Sequence, residues 1–511
     1  MRGIILQNKN QLFDTDHLKT GLKERAVKSA GITLAAQAIK LILQLGSIAI
    51  LARLLQPSDF GLIAMVTVFT GLALQFMEGG LSMATIQRDQ ITHAQVSNLF
   101  WVNGALGAAL CLLGVLISPL VAIIYDEPRL TLVMAAMSLT FLIGGLSVQH
   151  DALLRRQMRF KAISVIDIVS MATGIIAGIT AAYKGLEYWA LVISPIATFA
   201  TKTFMRWLIA RWVPSMMSRG SGVRPLLGFG ANLTGANFIG YIATNITPFA
   251  VGYIGGAQSL GFYNRANTLT SIPSSQLLPP VMTVMQSALT RVKDEPERLR
   301  NASLSLMTKI AMATMLVTIT MFVTADWIVT LFLGDGWSES VEMFRILAIS
   351  TIVTPITTFT AIIMVAVGEV RALMRWKAIT LAILATAIFI GSFWGVMGIV
   401  IAHCLSGIFI RMPGFLIYSS RYQPVKASDF FHSLFPVFLS AVATLVVVML
   451  LRNHFTLQGA LMSILSFSLI SFVLYLSFLA LFSRTRLEIK NGVVLLRNSM
   501  VRMFRSMGGI L

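Results

Sequence analysis

Long apolar stretches alternate with short polar gaps along the whole chain. The apolar stretches begin near Lys28, Phe60, Gln95, Leu130, Lys161, Glu187, Leu226, Leu260, Ser303, Val341, Leu373, Gly395, Phe430 and Gly459. A helix needs about 20 apolar residues to cross the hydrocarbon core of a bilayer. The pattern therefore predicts an all-α polytopic membrane protein with about fourteen transmembrane helices.

The first six stretches resemble the second six in the same order. The matching segments are Asp59-Phe60-Gly61 with Ser259-Leu260-Gly261, Asp126-Glu127-Pro128 with Asp335-Gly336-Trp337, Phe160-Lys161-Ala162-Ile163 with Trp376-Lys377-Ala378-Ile379, and Gly185 with Gly395. Because six is an even number, both halves enter the membrane in the same direction. This is a parallel repeat, which is typical of transporters that work by alternating access.

The repeat predicts a division of the chain into two six-helix lobes with additional segments. The predicted segments are a cytoplasmic N-terminal segment (1–27), an N-lobe with spans one to six (28–212), a cytoplasmic linker (213–225), a C-lobe with spans seven to twelve (226–422), spans thirteen and fourteen (423–482) and a cytoplasmic basic tail (483–511). Spans thirteen and fourteen lie outside the repeat and are nearly all apolar. Their composition favours packing or a groove on the lipid side over chemistry.

The basic residues predict the orientation of the chain. Lys and Arg that flank a span stay on the cytoplasmic side, and about 31 of the 40 fall in every second gap. Both termini are therefore expected in the cytoplasm. The net charge of +19 is explained by cytoplasmic loops that face anionic membrane lipids, so nucleic acid is not an expected partner.

Composition and motifs argue against an enzyme or a cofactor protein. Only 12% of the residues are charged, which leaves no room for a soluble domain beside the spans. Cys111 and Cys404 fall within spans, the six histidines lack metal-ligand spacing, and there is no phosphate-binding loop. We therefore expect no catalytic residues, no metal and no cofactor.

Polar side chains recur at helical spacing on four spans. They are Thr33, Gln37, Lys40, Gln44 and Ser47 on span one, Thr67, Gln75, Glu78 and Ser82 on span two, Thr234, Asn237, Tyr241 and Asn245 on span seven, and Asn264, Arg265, Asn267, Ser271 and Ser275 on span eight. For Ser and Thr, hydrogen bonding between helices is an equal alternative. The amides and Lys40 favour a cavity lined by these spans.

Five cations in or beside the spans need separate explanations. Lys40 lies too deep to reach the interface, so its partner is Glu78 in a structural pair or a substrate anion. Lys202 and Lys309 lie closer to cytoplasmic ends, which favours snorkelling. Arg53 and Arg265 lie near matching outer turns, where two guanidinium groups could bind a phosphate or anchor in the interface.

Two further features concern coupling and bending. Glu78 and Asp167 are candidates for relaying ions or protons, although either carboxylate could instead be paired with a base. Pro273, Pro279 and Pro280 in span eight and Pro355 in span ten predict kinks.

Two segments carry a resemblance to a known family. They are Leu51-Ala52-Arg53-Leu54-Leu55-Gln56-Pro57-Ser58-Asp59-Phe60-Gly61 with Gly79-Gly80-Leu81, and Leu260-Gly261-Phe262-Tyr263-Asn264-Arg265-Ala266. The chain resembles the Wzx-like polysaccharide exporters from about residue 28 to 422. This family belongs to the multidrug/oligosaccharidyl-lipid/polysaccharide (MOP) superfamily.

The resemblance implies a V-shaped pair of lobes, related to multidrug (MATE) transporters, with spans one, two, seven and eight lining the cleft. It implies a bacterial inner-membrane flippase that moves undecaprenyl-pyrophosphate-linked oligosaccharide to the periplasmic leaflet for exopolysaccharide, capsule or O-antigen synthesis. Glycan polymerase and export proteins are the implied partners. On this reading Lys40, Arg53 and Arg265 hold phosphate, while Gln37, Gln44, Asn237 and Asn245 bind sugar.

Three alternatives remain open at this point. A multidrug exporter would use the same scaffold but usually binds cations through buried carboxylates, and a peptidoglycan lipid flippase would differ mainly in its cargo. A membrane glycosyltransferase or polymerase would need acidic catalytic groups and a large outer loop, whereas outer loops such as Gln56 to Asp59 are short. The sequence names neither the sugar nor the energy source.

Overall fold

A computed structural model describes residue 13 and residues 22–78, 81–88, 90–218, 224–454, 459–483 and 485–490. These residues form helices joined by short turns, and none of them forms a strand. The helices up to the middle of the chain are α1 Leu22–Leu54, α2 Pro57–Glu78, α3 Leu81–Gln87, α4 His93–Tyr125, α5 Arg129–Gly145, α6 Val148–Arg156, α7 Phe160–Tyr183, α8 Trp189–Ala210 and α9 Arg224–Arg291.

The remaining helices follow the same plan. They are α10 Pro296–Val323, α11 Ala325–Phe332, α12 Ser338–Ser350, α13 Val353–Ala366, α14 Val370–Ser392, α15 Gly395–Leu405, α16 Met412–Ser419, α17 Ala427–His454 and α18 Ala460–Leu481, with a π-helical segment Ser406–Arg411 between α15 and α16. The predicted all-α class is confirmed. Most of the predicted span starts lie close to the first residue of an observed helix.

The described residues contain ten helices long and apolar enough to cross a membrane. Counting α5 and α6 as one span bent by 42° raises the number to eleven. The protein is therefore a multi-span membrane protein, and the count of fourteen spans stays a prediction.

By their contacts, the described residues group into two compact units. The first unit lies within Met1–Asn264 and includes Phe332–Gly336, and the second lies within Arg265–Leu331 and Trp337–Leu511. The second unit holds a continuous apolar core, in which Phe359, Phe430 and Phe467 are fully buried. The predicted lobe boundaries at 28–212 and 226–422 remain predictions.

Turns at matching places support the internal repeat. Met158 and Gly368 both adopt left-handed backbone angles, and the same hydrogen-bond pattern follows each of them. Gly185 and Gly395, also left-handed, are separated by the same number of residues as that pair. By these matched turns, Val370 at the start of α14 corresponds in the repeat to Phe160 at the start of α7. The predicted match of Phe160 with Trp376 is therefore wrong, because Trp376 already lies within α14.

Two glycines from matching positions meet in the first unit. A Cβ atom added to Gly61 would lie 1.6 Å from the carbonyl oxygen of Ala257. A Cβ atom added to Gly261 would lie 1.8 Å from the carbonyl oxygen of Pro57. The contact is reciprocal, because each glycine touches the residue four positions before the other. Only glycine allows two helix backbones to approach this closely.

The helix breaks agree only in part with the predicted kinks. Pro355 lies in the first turn of α13, directly after the break that divides span ten. Within α9, however, the backbone leaves the helical range at Gly256, whose φ is 68°, and stays helical across Pro273, Pro279 and Pro280. A tight turn at Gly256 thus separates spans seven and eight, and the kinks at the three prolines stay a prediction.

Candidate functional site

The first unit holds an ionic cluster inside its membrane spans. The Asp167 carboxylate on α7 lies 2.9 Å from the ammonium of Lys202 on α8 and 3.9 Å from that of Lys40 on α1. The three side chains are 23%, 30% and 31% exposed. Two lysines share one carboxylate, so the cluster carries a net positive charge. This Lys40–Asp167–Lys202 triad is the centre of the candidate site.

Close packing of α7 against α8 brings Asp167 to Lys202. Gly174 and Gly178 lie on the same face of α7 as Asp167, and an added Cβ at Gly174 would lie 1.9 Å from the Thr198 hydroxyl. Thr198 lies one turn before Lys202 on α8. Small residues allow transmembrane helices to pack closely and give the acid and the base a fixed separation.

A second ionic cluster joins α6 to α8. The Asp151 carboxylate accepts hydrogen bonds at 2.7 Å from Arg155 and forms an ion pair at 2.8 Å with Arg206. Arg206 lies one helical turn beyond Lys202 on α8, so the two cations are neighbours on one face. Each of these two cations of α8 is therefore paired with an acid from another helix.

Lys202 and Lys309, for which the sequence favoured snorkelling, both form ion pairs with protein carboxylates, and snorkelling itself stays a prediction. Lys202 pairs with Asp167, and Lys309 lies 3.1 Å from the Glu488 carboxylate and donates to the Ser305 hydroxyl at 3.0 Å. Each ammonium group therefore has a protein carboxylate within ion-pair distance. Sequence could not show this, because Asp167 and Glu488 are distant in the chain from their partners.

The structure also identifies the protein partner of Lys40. The predicted partner was Glu78 or a substrate anion, whereas Asp167 is the carboxylate within ion-pair distance among the described residues. The side chains of Glu78 and Asn237 lie outside the described residues. Their predicted roles in coupling and sugar binding stay predictions.

The polar face of α1 is accessible, whereas several hydroxyls on other spans donate hydrogen bonds to carbonyls of their own helix. Gln37, Lys40 and Gln44 are all partly exposed. In contrast, Thr67 donates to the Ile63 carbonyl of its own helix at 2.7 Å, as do Ser271 and Ser275 to carbonyls three residues earlier. These hydroxyls form hydrogen bonds within their own helix. The sequence had offered two other roles for them, lining a cavity and bonding between helices.

Spans two and seven meet in the first unit through aromatic residues. The Tyr241 hydroxyl lies 3.0 Å from the Thr67 carbonyl and 2.9 Å from that of Val68. Phe76 and Phe238 lie 6.2 Å apart between ring centroids, and both are exposed. Asn245 donates to the Tyr241 carbonyl at 2.9 Å, and its side chain remains half-buried.

The two predicted outer arginines lie in different units. Arg53 lies in the last turn of α1 and donates to the carbonyls of Ala49 at 2.8 Å and Phe332 at 3.4 Å, while its side chain remains exposed. Arg265 is the first residue of the second unit and is half-buried. Joint binding of one phosphate by this pair remains a prediction.

The described part of the chain contains no group of three or more His, Cys, Asp and Glu side chains that could hold a metal ion. Cys404 is buried and contacts the Ile346 carbonyl, and Cys111 is half-buried. The chemistry available at the candidate site is therefore that of cations, one shared carboxylate and amides.

Sequence comparison relates the chain to proteins of polysaccharide synthesis. The family model described as polysaccharide biosynthesis protein matches residues 50–342. Lipopolysaccharide biosynthesis protein WzxC of Escherichia coli (strain K12) is 25% identical over 436 residues, which cover 83% of this chain and 87% of that protein. Teichuronic acid biosynthesis protein TuaB of Bacillus subtilis (strain 168) is 24% identical, with coverage of 73% and 76%.

Solved structures share the fold. The lipid II flippase MurJ in an inward closed conformation has a TM-score of 0.71 at 15% identity, covering 90% of this chain and 100% of that one. An inward-facing multidrug resistance MATE family transporter of the MOP superfamily has a TM-score of 0.59 at 15% identity, covering 76% and 94%. At these identities the likeness concerns the fold alone.

Proposed function

The chain belongs to the polysaccharide biosynthesis protein family, and from this premise we propose that it is a flippase for lipid-linked oligosaccharides. It moves an undecaprenyl-pyrophosphate-linked repeat unit from the cytoplasmic to the periplasmic leaflet of a bacterial inner membrane by alternating access. The product enters exopolysaccharide, capsule or O-antigen assembly, where a glycan polymerase and export proteins are its partners. Both termini lie in the cytoplasm.

The charge of the triad is the observation that carries this proposal. Lys40, Lys202 and Asp167 place an excess positive charge inside the spans, where an unneeded charge costs several kcal/mol. A pyrophosphate head cannot cross hydrocarbon alone, because its hydration must be replaced. Cations in a protected site replace that hydration through charge-assisted hydrogen bonds.

The remaining predicted residues complete the site. Lys40, Arg53 and Arg265 are assigned to the phosphates, whereas Gln37, Gln44, Asn237 and Asn245 are assigned to the sugar hydroxyls. The partial exposure of Gln37 and Gln44 beside Lys40 supports this division on α1. The protein is a transporter, so no covalent bond forms or breaks.

A multidrug exporter is the second candidate on this scaffold. Such a carrier needs an acidic group that is available to a cationic drug. Asp167 instead lies between two lysines, and an approaching cation would meet their repulsion. The triad therefore favours an anionic cargo.

The decisive experiment measures lipid-linked oligosaccharide separately in each leaflet. It compares cells with the wild type, cells without the transporter, and cells with Lys40→Ala at matched expression. We expect cytoplasmic-leaflet intermediates to accumulate in the deletion strain and in the variant.

Two other outcomes have distinct meanings. Accumulation in the deletion strain alone would keep the function and assign Lys40 a structural role. Accumulation in neither strain would reject the cargo, and drug efflux would then become the leading function.

A further inference from the structure

We propose that Asp167 is a built-in substitute for the cargo's phosphate, which holds Lys40 until a diphosphate displaces it. This inference rests on the proposed function and adds a mechanism for loading and release. Asp167 is a positioning residue in this scheme, because it acts on cargo through Lys40. Lys202 keeps Asp167 in place.

The unequal distances assign different roles to the two lysines. The Lys202 ammonium lies 2.9 Å from Asp167, which is hydrogen-bonding distance, whereas that of Lys40 lies at 3.9 Å, beyond it. Coulombic attraction alone holds Lys40, and partial exposure weakens that attraction. Lys40 is therefore the exchangeable cation, and Lys202 is the retained one.

The surrounding charges keep Asp167 on the side of Lys202. Arg206 lies one turn from Lys202 and is paired with Asp151, so the cytoplasmic part of α8 is already occupied by ion pairs. Of the three cations Lys40, Lys202 and Arg206, Lys40 has the longest ion pair, so we expect an incoming anion to bind there. Exchange of one anion for another at Lys40 avoids leaving a bare charge in the membrane.

The internal repeat shows that the fold does not require this cluster. The matched turns align Phe160 with Val370, so Asp167, seven residues after Phe160, corresponds to Lys377, seven residues after Val370. Position 377 carries the opposite charge and is exposed. A helix pair of the same design thus forms without the acid, which makes function the better explanation for Asp167 in the first unit.

The ligand chemistry that fits this exchange is a diphosphate with at least two negative charges. It could belong to a lipid head group or to free pyrophosphate. Farnesyl diphosphate and inorganic pyrophosphate serve as probes for these two sources, and farnesol serves as an uncharged probe. Binding is measured on the purified full-length protein in detergent or nanodiscs.

Removing the competing carboxylate is expected to strengthen binding. Asp167→Asn frees Lys40, so we expect the Kd for farnesyl diphosphate to fall about tenfold. Turnover in proteoliposomes should slow, because no carboxylate is left to displace the diphosphate from Lys40 when the cargo is released. Lys202→Gln leaves Asp167 to Lys40 alone, so the Kd should rise. The double variant should bind about as tightly as Asp167→Asn, because without the carboxylate nothing competes for Lys40 even when Lys202 is absent.

A matched control removes an ion pair of the same type elsewhere. Glu488→Gln breaks the pair with Lys309 in the second unit and should leave the Kd unchanged. Unchanged or weaker binding in Asp167→Asn, or a double variant as weak as Lys202→Gln, would overturn the exchange. Stronger binding of inorganic pyrophosphate than of farnesyl diphosphate would assign the site to a free anion.

The failure of this inference is distinguishable from failure of the proposed function. If the wild type flips lipid-linked oligosaccharide and Asp167→Asn does not tighten binding, the exchange is rejected and the function stands. If the wild type neither flips that lipid nor binds farnesyl diphosphate, both are rejected.

Discussion

At the scale of single residues, the two contact glycines have the least freedom to change. Gly61 and Gly261 each face a carbonyl oxygen of a neighbouring helix, at distances that no side-chain carbon can occupy. A backbone atom cannot rotate away as a long side chain can. An added methyl group must therefore separate the helices.

We predict that Gly61→Ala and Gly261→Ala each destabilise the protein by about 1 to 3 kcal/mol, the usual cost of overpacking. Thermal unfolding in detergent should show a midpoint lowered by several degrees. Gly46→Ala on α1 is the control, because nothing lies within 4 Å of an added Cβ there. Alanine should be neutral or slightly stabilising at that helix position. Equal midpoints for all three variants would contradict the observed contact.

At the scale of elements, the segment after α8 is fastened to the start of α4. Asn98 donates to the Ser218 carbonyl at 2.7 Å and accepts from its N–H at 3.0 Å, while Trp101 donates to the Ser215 carbonyl at 2.9 Å. Trp212 is buried in an apolar cluster with Phe100 of α4 and Leu153 of α6. These contacts give a non-helical segment a fixed path.

We predict that Asn98→Ala loosens this segment without unfolding the helices. Two lost hydrogen bonds cost about 1 to 2 kcal/mol, so amide exchange in residues 211–218 should accelerate about tenfold. Hydrogen–deuterium exchange with mass spectrometry measures this change. Asn301→Ala, at an exposed position on α10, is the control. Unchanged exchange in 211–218 would show that the asparagine does not hold the segment.

At the scale of the whole molecule, the basic residues predict how the chain lies in the membrane. From the arginines and lysines in alternate gaps, we expect the start of α10 on the cytoplasmic side. With 28 residues, α10 is about 42 Å long and reaches across the bilayer. The turn before α12 should therefore face the periplasm.

We predict that Gly336→Cys reacts with a membrane-impermeant thiol reagent added to intact cells and that Lys293→Cys does not. Both positions are exposed, and nothing lies within 4 Å of an added Cβ at Gly336. The background replaces Cys111 and Cys404 with alanine. Permeabilised cells should label at both positions, and the reverse pattern in intact cells would invert the orientation.

The sequence alone determined the helical class, the approximate start of most helices, the repeat and the membrane character. These follow from local composition and period, because a span must be apolar over its length and satisfy its own backbone. The family resemblance, carried by segments such as Leu51 to Gly61, was borne out by the model that matches residues 50–342. Lys40 was also recognised as a residue that needs a partner.

Only the tertiary structure decided which partner each charge has. Asp167 lies far from Lys40 and Lys202 in the sequence, and no periodicity connects charges on different helices. The packing of α7 on α8 through Gly174 set the separation of Asp167 and Lys202. The hydrogen bonds of the turns showed that Phe160 matches Val370 in the repeat and not Trp376. An ion pair depends on distance in space, which a hydrophobic pattern along the chain does not encode.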